Sequence, residues 1–256
     1  MRRVVFGYHD VVAGAERDAT GFIGPGPNRY KIDPRAFAAQ LEAIAAAADG
    51  TGLAFDETAR VVLTFDDGGR SSLDTIAPLL AARDWHGHFF VTTGRIGPPG
   101  FLDEAGIREL AACGHDIGSH SHTHPFLTRL DDRAVGEEWR RSKGVLEQIL
   151  GRPGASASIP TGYYEERVGR SAAAAGYTLL FTSEPRTQPR RLGELVVQGR
   201  FAVTTGTPAA RVGDLAAHSG RALAREALWW HGRNAAKRTL GPVYQHVRQS
   251  VLARRS

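Results

Sequence analysis

Two short clusters carry the residue types that do chemistry. The first is Val61-Val62-Leu63-Thr64-Phe65-Asp66-Asp67-Gly68-Gly69, in which two adjacent carboxylates follow an apolar run. The run reads as a short buried strand, and the glycines supply a turn after it. Two acids at the end of a buried strand are costly unless a cation or a reaction uses them. Side chains alternate along a strand, so Asp66 and Asp67 share a direction only if the chain has begun to turn. Taken alone, the segment is equally an Asp-Gly turn with solvated acids. The second cluster is Gly118-Ser119-His120-Ser121-His122-Thr123-His124-Pro125, with histidines at alternate positions. The i, i+4 spacing of His120 and His124 would put two imidazoles on one side of a single helical turn. Two such nitrogens and one carboxylate form a common set for a catalytic zinc that keeps a position open for water. By itself the segment also reads as a solvated histidine-rich loop.

The elements that must position these clusters alternate. Val4 to Tyr8 reads as a first strand ending at His9-Asp10, and Val11 to Lys31, rich in Gly and Pro, as a long loop. Asp33 and Pro34 open a helix that runs to about Asp49 and stops at Gly50. The strand before Asp66 is followed by a helix near Leu73 to Ala82 and a strand over His88 to Thr92. A helix from Asp103 to about Cys113 leads to a short strand, His115 to Gly118, that delivers the histidines. Asp131 or Asp132 caps a longer helix ending at Gly151. A strand near Ala155 to Ile159, a helix over Tyr164 to Ala175, a strand over Tyr177 to Thr182 and one or two strands within Glu194 to Val203 complete the series. Strands alternating with helices imply a parallel sheet. About seven such units can close into a barrel with its chemistry at the strand ends on one face.

At 256 residues the chain is long enough for one large α/β domain. Its single cysteine, Cys113, excludes an internal disulfide and permits a reducing compartment. No run of apolar residues is long enough to span a membrane. The apolar part of the N-terminus is too short for a signal peptide, so a cytoplasmic location is expected. The net charge of +5 is unevenly placed. From Pro208 to Ser256 there are nine Arg or Lys against Asp214 and Glu226, a net of +7, which leaves −2 on the rest. The part that carries the chemistry is therefore not basic, which argues against a nucleic-acid substrate.

Thr64-Phe65-Asp66-Asp67-Gly68 together with His120-Ser121-x-x-His124-Pro125 resembles the polysaccharide deacetylases, the NodB-homology carbohydrate esterases of family 4. The resemblance runs from about Arg3 to about Phe201. It implies a distorted (β/α)7 barrel and a metal-dependent hydrolase of N-acetylated sugars. It also implies that Asp67, His120 and His124 hold one divalent ion, most often Zn2+, and that Asp66 is the general base for the attacking water. Ser121 would hold the turn or orient a ligand. The family's third motif, Arg-x-Pro-x-Gly, appears as Ser158-Ile159-Pro160-Thr161-Gly162. Pro160 and Gly162 match, and the arginine that contacts the base is absent. The backbone N–H of Thr161 then corresponds to the one that helps hold the oxyanion. The family's general-acid histidine normally ends a strand near the C-terminus. Here His218, His231 and His246 all fall in the basic tail. The strand Val5-Phe6-Gly7-Tyr8-His9 instead resembles the N-terminal Tyr-His of the circularly permuted branch that includes the poly-N-acetylglucosamine deacetylases, which also lacks the motif arginine. His9 is thereby the candidate acid, placed across the pocket from Asp66. His88 reads as a packed or supporting histidine, His122 as exposed, and Tyr163 and Tyr164 as either core or sugar-stacking residues.

Residues 1–207 are thus expected to form the catalytic barrel and residues 208–256 a basic helical extension, dispensable for chemistry. Leu223, Ala227 and Trp230, and beyond Gly241-Pro242 also Val243, Val247 and Val251, repeat at helical spacing with arginines on the other faces. Such helices cover the barrel or lie on a partner or an anionic surface, which suggests peripheral contact with the inner membrane or a biosynthetic complex. The resulting expectation is removal of acetyl groups from an N-acetylglucosamine-type sugar in bacterial polysaccharide or glycolipid assembly. A hydrolase of another amide, or a carbohydrate-binding relic without catalysis, are the alternatives.

Overall fold

The computed structural model describes residues 2–47 and 59–232. The repeat at Val243, Val247 and Val251 and the end of the first long helix after Ala47 lie outside the described residues. In chain order the strands are β1 (Val4–Tyr8), β2 (Val61–Phe65), β3 (His88–Val91), β4 (Asp116–Ser119), β5 (Ser156–Ser158), β6 (Leu179–Phe181), β7 (Arg190–Leu192), β8 (Leu195–Gln198) and β9 (Phe201–Ala202). The helices are α1 (Pro25–Asn28), α2 (Pro34–Ala47), α3 (Ala77–Ala81), α4 (Glu104–Ala112), α5 (Asp132–Leu150), α6 (Glu166–Ala174) and α7 (Ala209–Ala216).

The strands form one sheet in the order β7-β8-β6-β5-β4-β3-β2-β1-β9. Every pairing is parallel except the β7–β8 hairpin. Only Gly199 and Arg200 separate β8, which pairs with β6, from β9, which pairs with β1. One bent strand, Leu195 to Ala202, therefore joins the two edges of the sheet. With β1 to β6 it makes the seven parallel strands of the expected distorted barrel. Gly199 permits the bend: a Cβ there would fall 2.2 Å from the Glu184 carbonyl oxygen. The hairpin strand β7 is an addition to the expected series. Its Arg-Arg-Leu sequence has no apolar alternation to announce it.

All five residues of β1 and all five of β2 are buried, as parallel strands covered on both faces must be. Their alternation sorts two interiors. Val4, Phe6, Tyr8, Leu63 and Phe65 face outward, into a core shared with α2, α4 and α7. Val5 and Val62 face inward, where they meet Phe90 and Phe181. Thr64 and Asp66 continue that inward row by the same period of two. The helix starts follow the expected chemistry: Asp103 accepts from the Gly106 N–H at 2.8 Å, and Asp131 from the Ala134 N–H at 2.8 Å. Helix α5 ends on Gly151 at φ 65°.

The first part of the basic extension packs on the barrel. Val212, Leu215 and Ala216 of α7 and Ala222 beyond it belong to the main core. Residues 220–232 are helical. No helix among the described residues is long and apolar enough to cross a membrane.

Candidate active site

The parallel register sets the first juxtaposition. Tyr8 pairs with Phe65, and the Asp66 N–H donates to the Tyr8 carbonyl at 2.9 Å. His9 and Asp66 thus leave adjacent strand ends side by side, by direct pairing of β1 with β2. His120 emerges one strand beyond β3, where its N–H donates to the Val91 carbonyl at 2.8 Å. Ser158 ends β5, the strand next to that one.

Asp67, His120 and His124 offer ligand atoms that all lie within 4.8 Å of one another. Asp67 Oδ1 is 3.5 Å from His120 Nε2 and 3.4 Å from His124 Nε2. That oxygen is buried and has no hydrogen-bond donor among the described residues. A buried carboxylate oxygen facing two imidazole nitrogens suits a cation better than it suits the chain alone. The tautomer agrees. His120 Nδ1 donates to Ser158 Oγ at 2.5 Å, while Ser158 Oγ donates to Asp66 Oδ1 at 3.1 Å. The hydrogen on His120 is thereby held at Nδ1, and Nε2 keeps its lone pair for a ligand. Burial, opposed by the nearby carboxylates, holds the His120 pKa down at about 4, so the imidazole is neutral.

His120 and His124 do not sit on a helical turn, as their spacing suggested. Ser121 and His124 are left-handed, at φ 62° and 63°, so the chain doubles back twice between the two imidazoles. Asp67, at φ 77°, and Thr161, at φ 61°, share this conformation. Four of the six described non-glycine residues with positive φ are therefore at this site. Each costs roughly 1–3 kcal/mol and persists only where its surroundings over-determine it. Here they do. Ser121 Oγ accepts from the His124 N–H at 3.1 Å, which is the turn-holding part expected of it. Glu138 of α5 accepts from the N–H groups of His122 and Thr123, both at 2.8 Å, and from the Thr123 hydroxyl at 2.7 Å. His122 is half-buried rather than exposed, because Thr93 Oγ1 binds its Nδ1 at 2.9 Å.

Asp66 faces the barrel interior and meets a residue that the motifs did not announce. Arg200, in the bend of the closing strand, is 2 % exposed and grips Asp66 with two nitrogens, at 2.7 and 2.8 Å. The same guanidinium donates to Thr64 Oγ1 at 3.1 Å and to the Thr182 carbonyl at 3.3 Å. The arginine missing at Ser158 is thus replaced from another strand. Burial alone would raise the Asp66 pKa, but the Arg200 charge, helped by His120, the Arg200 hydrogen bonds and His9, holds it well below the usual carboxylate range. Asp67 is also held down, against its burial, by the three histidines around it. His88 stays in the supporting place expected of it: it donates to or accepts from Ser156 Oγ at 2.6 Å and stacks on Phe90 at 4.4 Å.

The His9 ring stacks on Tyr30 at 4.4 Å, and its Nδ1 is buried with no partner among the described residues. The long loop after β1 supplies this wall and another. Phe22 lies 4.7 Å from the His124 ring. Asp10 ties the loop down, accepting from Thr20 Oγ1 and Ser71 Oγ at 2.7 Å each. Only glycine fits at position 69 beside it, since a Cβ there would fall 2.0 Å from Asp10 Oδ1. Buried Lys31 holds the carbonyls of Arg17 and Thr20 at 2.5 and 2.7 Å. Thr161 lies in the exposed turn directly after β5.

A family model described as polysaccharide deacetylase matches residues 56–180, the span that holds both acids and both histidine ligands. YxkH of Bacillus subtilis (strain 168), named as a polysaccharide deacetylase, is 29% identical over 133 residues, covering 52% of this chain and 48% of that protein. A chitin deacetylase of Arthroderma benhamiae is 26% identical over 122 residues, covering 47% and 32%. The chain thus spans about half the length, or less, of these curated relatives. Among solved structures, IcaB from Ammonifex degensii has the same fold, at a TM-score of 0.70 and 24% identity, covering 84% of this chain and 97% of that one. Residues 56–180, the span that bears Asp66, Asp67, His120 and His124, are thus similar to the polysaccharide deacetylases of the NodB-homology type.

Proposed function

We propose that the protein is a metal-dependent N-deacetylase of an N-acetylated sugar chain of the N-acetylglucosamine type, serving bacterial polysaccharide or glycolipid assembly. The observation that carries this reading is the bare, buried Asp67 Oδ1 facing two imidazoles, one of them locked in the ligand tautomer, beside an ionised Asp66. The names of the relatives support a sugar acetamide as substrate, and Asp67, His120 and His124 would hold a divalent ion, for which zinc suits the ligand set. Such an ion supplies Lewis acidity, making water a stronger acid and the acetamide carbonyl a better electrophile.

The chain's own residues divide the proton work. Asp66 removes a proton from the attacking water, and Arg200 and Ser158 hold its carboxylate in place for that. Water oxygen bonds to the acetyl carbon, the C–N bond breaks, and acetate and the amine leave. His9 delivers the proton to the departing nitrogen, with Tyr30 fixing its ring plane. The Thr161 N–H serves the developing oxyanion, and the turn's left-handed backbone directs it. The basic stretch 208–256 is read as an attachment to an anionic surface, such as the cytoplasmic face of the inner membrane, or to an assembly partner. Leu228, at 76 % exposed, and Trp229, at 55 %, support it.

The test is acetate release from N-acetylglucosamine oligomers. Release should stop on chelation and return with a stoichiometric divalent ion, and His9→Ala should retain the ion while losing most of the turnover. Acetate release insensitive to chelation would refute the metal role, and a fully active His9→Ala protein would refute the acid.

A further inference from the structure

A cleft of about 610 Å³ opens beside the catalytic turn, within the size range of ligand sites. Its lining includes Gly162, Tyr163, Tyr164, Glu184, Arg190 and Trp230. One of these rings packs beside the segment that carries the histidines. Phe126, two residues after His124, meets Tyr163 at 5.7 Å between ring centres. Two of the charged groups form a pair: Arg190 Nη2 lies 2.6 Å from Glu184 Oε2, with the guanidinium 6.0 Å from the centre of the Tyr164 ring. Trp230 comes from the helix at 220–232, outside the expected catalytic barrel. That helix is held by buried Ala222, by Leu223 against the main core and by the Arg211–Glu226 ion pair at 2.6 Å.

We infer that this cleft binds the sugar residues next to the one being deacetylated, and that the C-terminal helix, through Trp230, is part of the substrate site. The inference rests on the deacetylase reading above. Two features select a sugar chain. Aromatic residues offer flat apolar faces together with a polar edge, which suits the apolar face and hydroxyl rim of a pyranose ring. A carboxylate and a guanidinium side by side offer an acceptor and fixed donors to vicinal hydroxyls. Gly162, next to Thr161, puts the occupant alongside the turn proposed to serve the reacting residue. On this inference the extension contributes to substrate binding as well as to attachment.

The experiment uses the full chain and N-acetylglucosamine monomer, dimer and tetramer, in β-1,4- and β-1,6-linked forms. Calorimetric titration of the metal-free protein reads binding without turnover, and acetate release reads chemistry separately. The tetramer should bind roughly tenfold tighter than the dimer, and Trp230→Ala should remove most of that difference, as should Tyr163→Ala. Zinc affinity and melting temperature should stay near those of the parent in both variants. Equal loss on dimer and tetramer, or no loss in either variant, would overturn the cleft. A parent that releases no acetate yet binds the tetramer through Trp230 would keep the cleft and sink the deacetylase reading. Acetate release with no preference for longer chains would do the reverse.

Discussion

Asp66 and Asp67 are neighbours in the chain and opposites in surroundings. On the inner side of the strand end, Asp66 is saturated: two nitrogens of Arg200 and the hydroxyl of Ser158 reach its oxygens. On the outer side, Asp67 turns away through a left-handed backbone and presents an oxygen with no hydrogen-bond donor among the described residues. Identical side chains thus acquire different tasks from strand alternation and one strained residue. The inner side fixes a negative charge, whereas the outer side leaves one unanswered for a cation. The difference shows that the motif's two letters matter less than the direction each takes as β2 ends.

Exchanging the two acids for amides breaks the comparison most severely. Asp67→Asn should lose the divalent ion and with it all measurable acetate release. Asp66→Asn should keep the ion, read by metal analysis, and lose roughly a hundredfold in rate, the scale of a general base. If Asp66→Asn loses the ion and Asp67→Asn keeps it, the two sides have been assigned backwards.

Next in size is the inner ion pair. Arg200→Met leaves Asp66 buried without its partner, which should cost about 3–5 kcal/mol in urea unfolding, with metal affinity little changed. The double variant Arg200→Met/Asp66→Asn should be less destabilised than Arg200→Met alone, because no unpaired charge remains. Additive losses in that cycle would mean the pair is not coupled as the distances say.

The smallest effect sharpens the view that the inner side is built not to titrate. Burial, aided by the Arg200 charge, holds the His88 pKa down at about 3, against the ordinary 6.5. Between those values the unfolded chain binds a proton that the folded chain refuses. The His88 contribution is complete above pH 6.5 and is lost progressively as pH falls toward 3. In metal-free protein this should remove about 2 kcal/mol between pH 8 and pH 5, and His88→Gln should flatten that part of the slope. An unchanged slope in the variant would place the sensitivity on the outer histidines instead.

The elements and the ligand set were legible because both rest on local signals. Apolar runs ended in Asp66 and in His9, capping aspartates stood before helices, and paired motifs marked Asp67, His120 and His124. The turn that carries the histidines is not helical, because i, i+4 spacing also results when Ser121 and His124 reverse the chain. Arg200 is not legible in the sequence because its partner lies 134 residues away. Its only local signal is a charge set between the apolar residues of Leu195 to Val203, which reads as an edge or a break until the strand is seen to turn into the barrel. The absence of arginine at Ser158 thus marked a relocation that spacing alone cannot express. The role of Trp230 was hidden likewise, because helical periodicity tells which face is apolar and says nothing about which cleft it borders.

The bent strand from Leu195 to Ala202 also sets an order of events during synthesis. The ribosome releases β1 and β2 early, and they pair through neighbouring register. Until residues 195–202 emerge, nothing joins the two edges of the sheet and no guanidinium reaches Asp66. The Asp66 carboxylate of a growing chain therefore meets its guanidinium partner only with the last strand. Competence arrives in a single late step, in which one segment shuts the wall and neutralises the interior together.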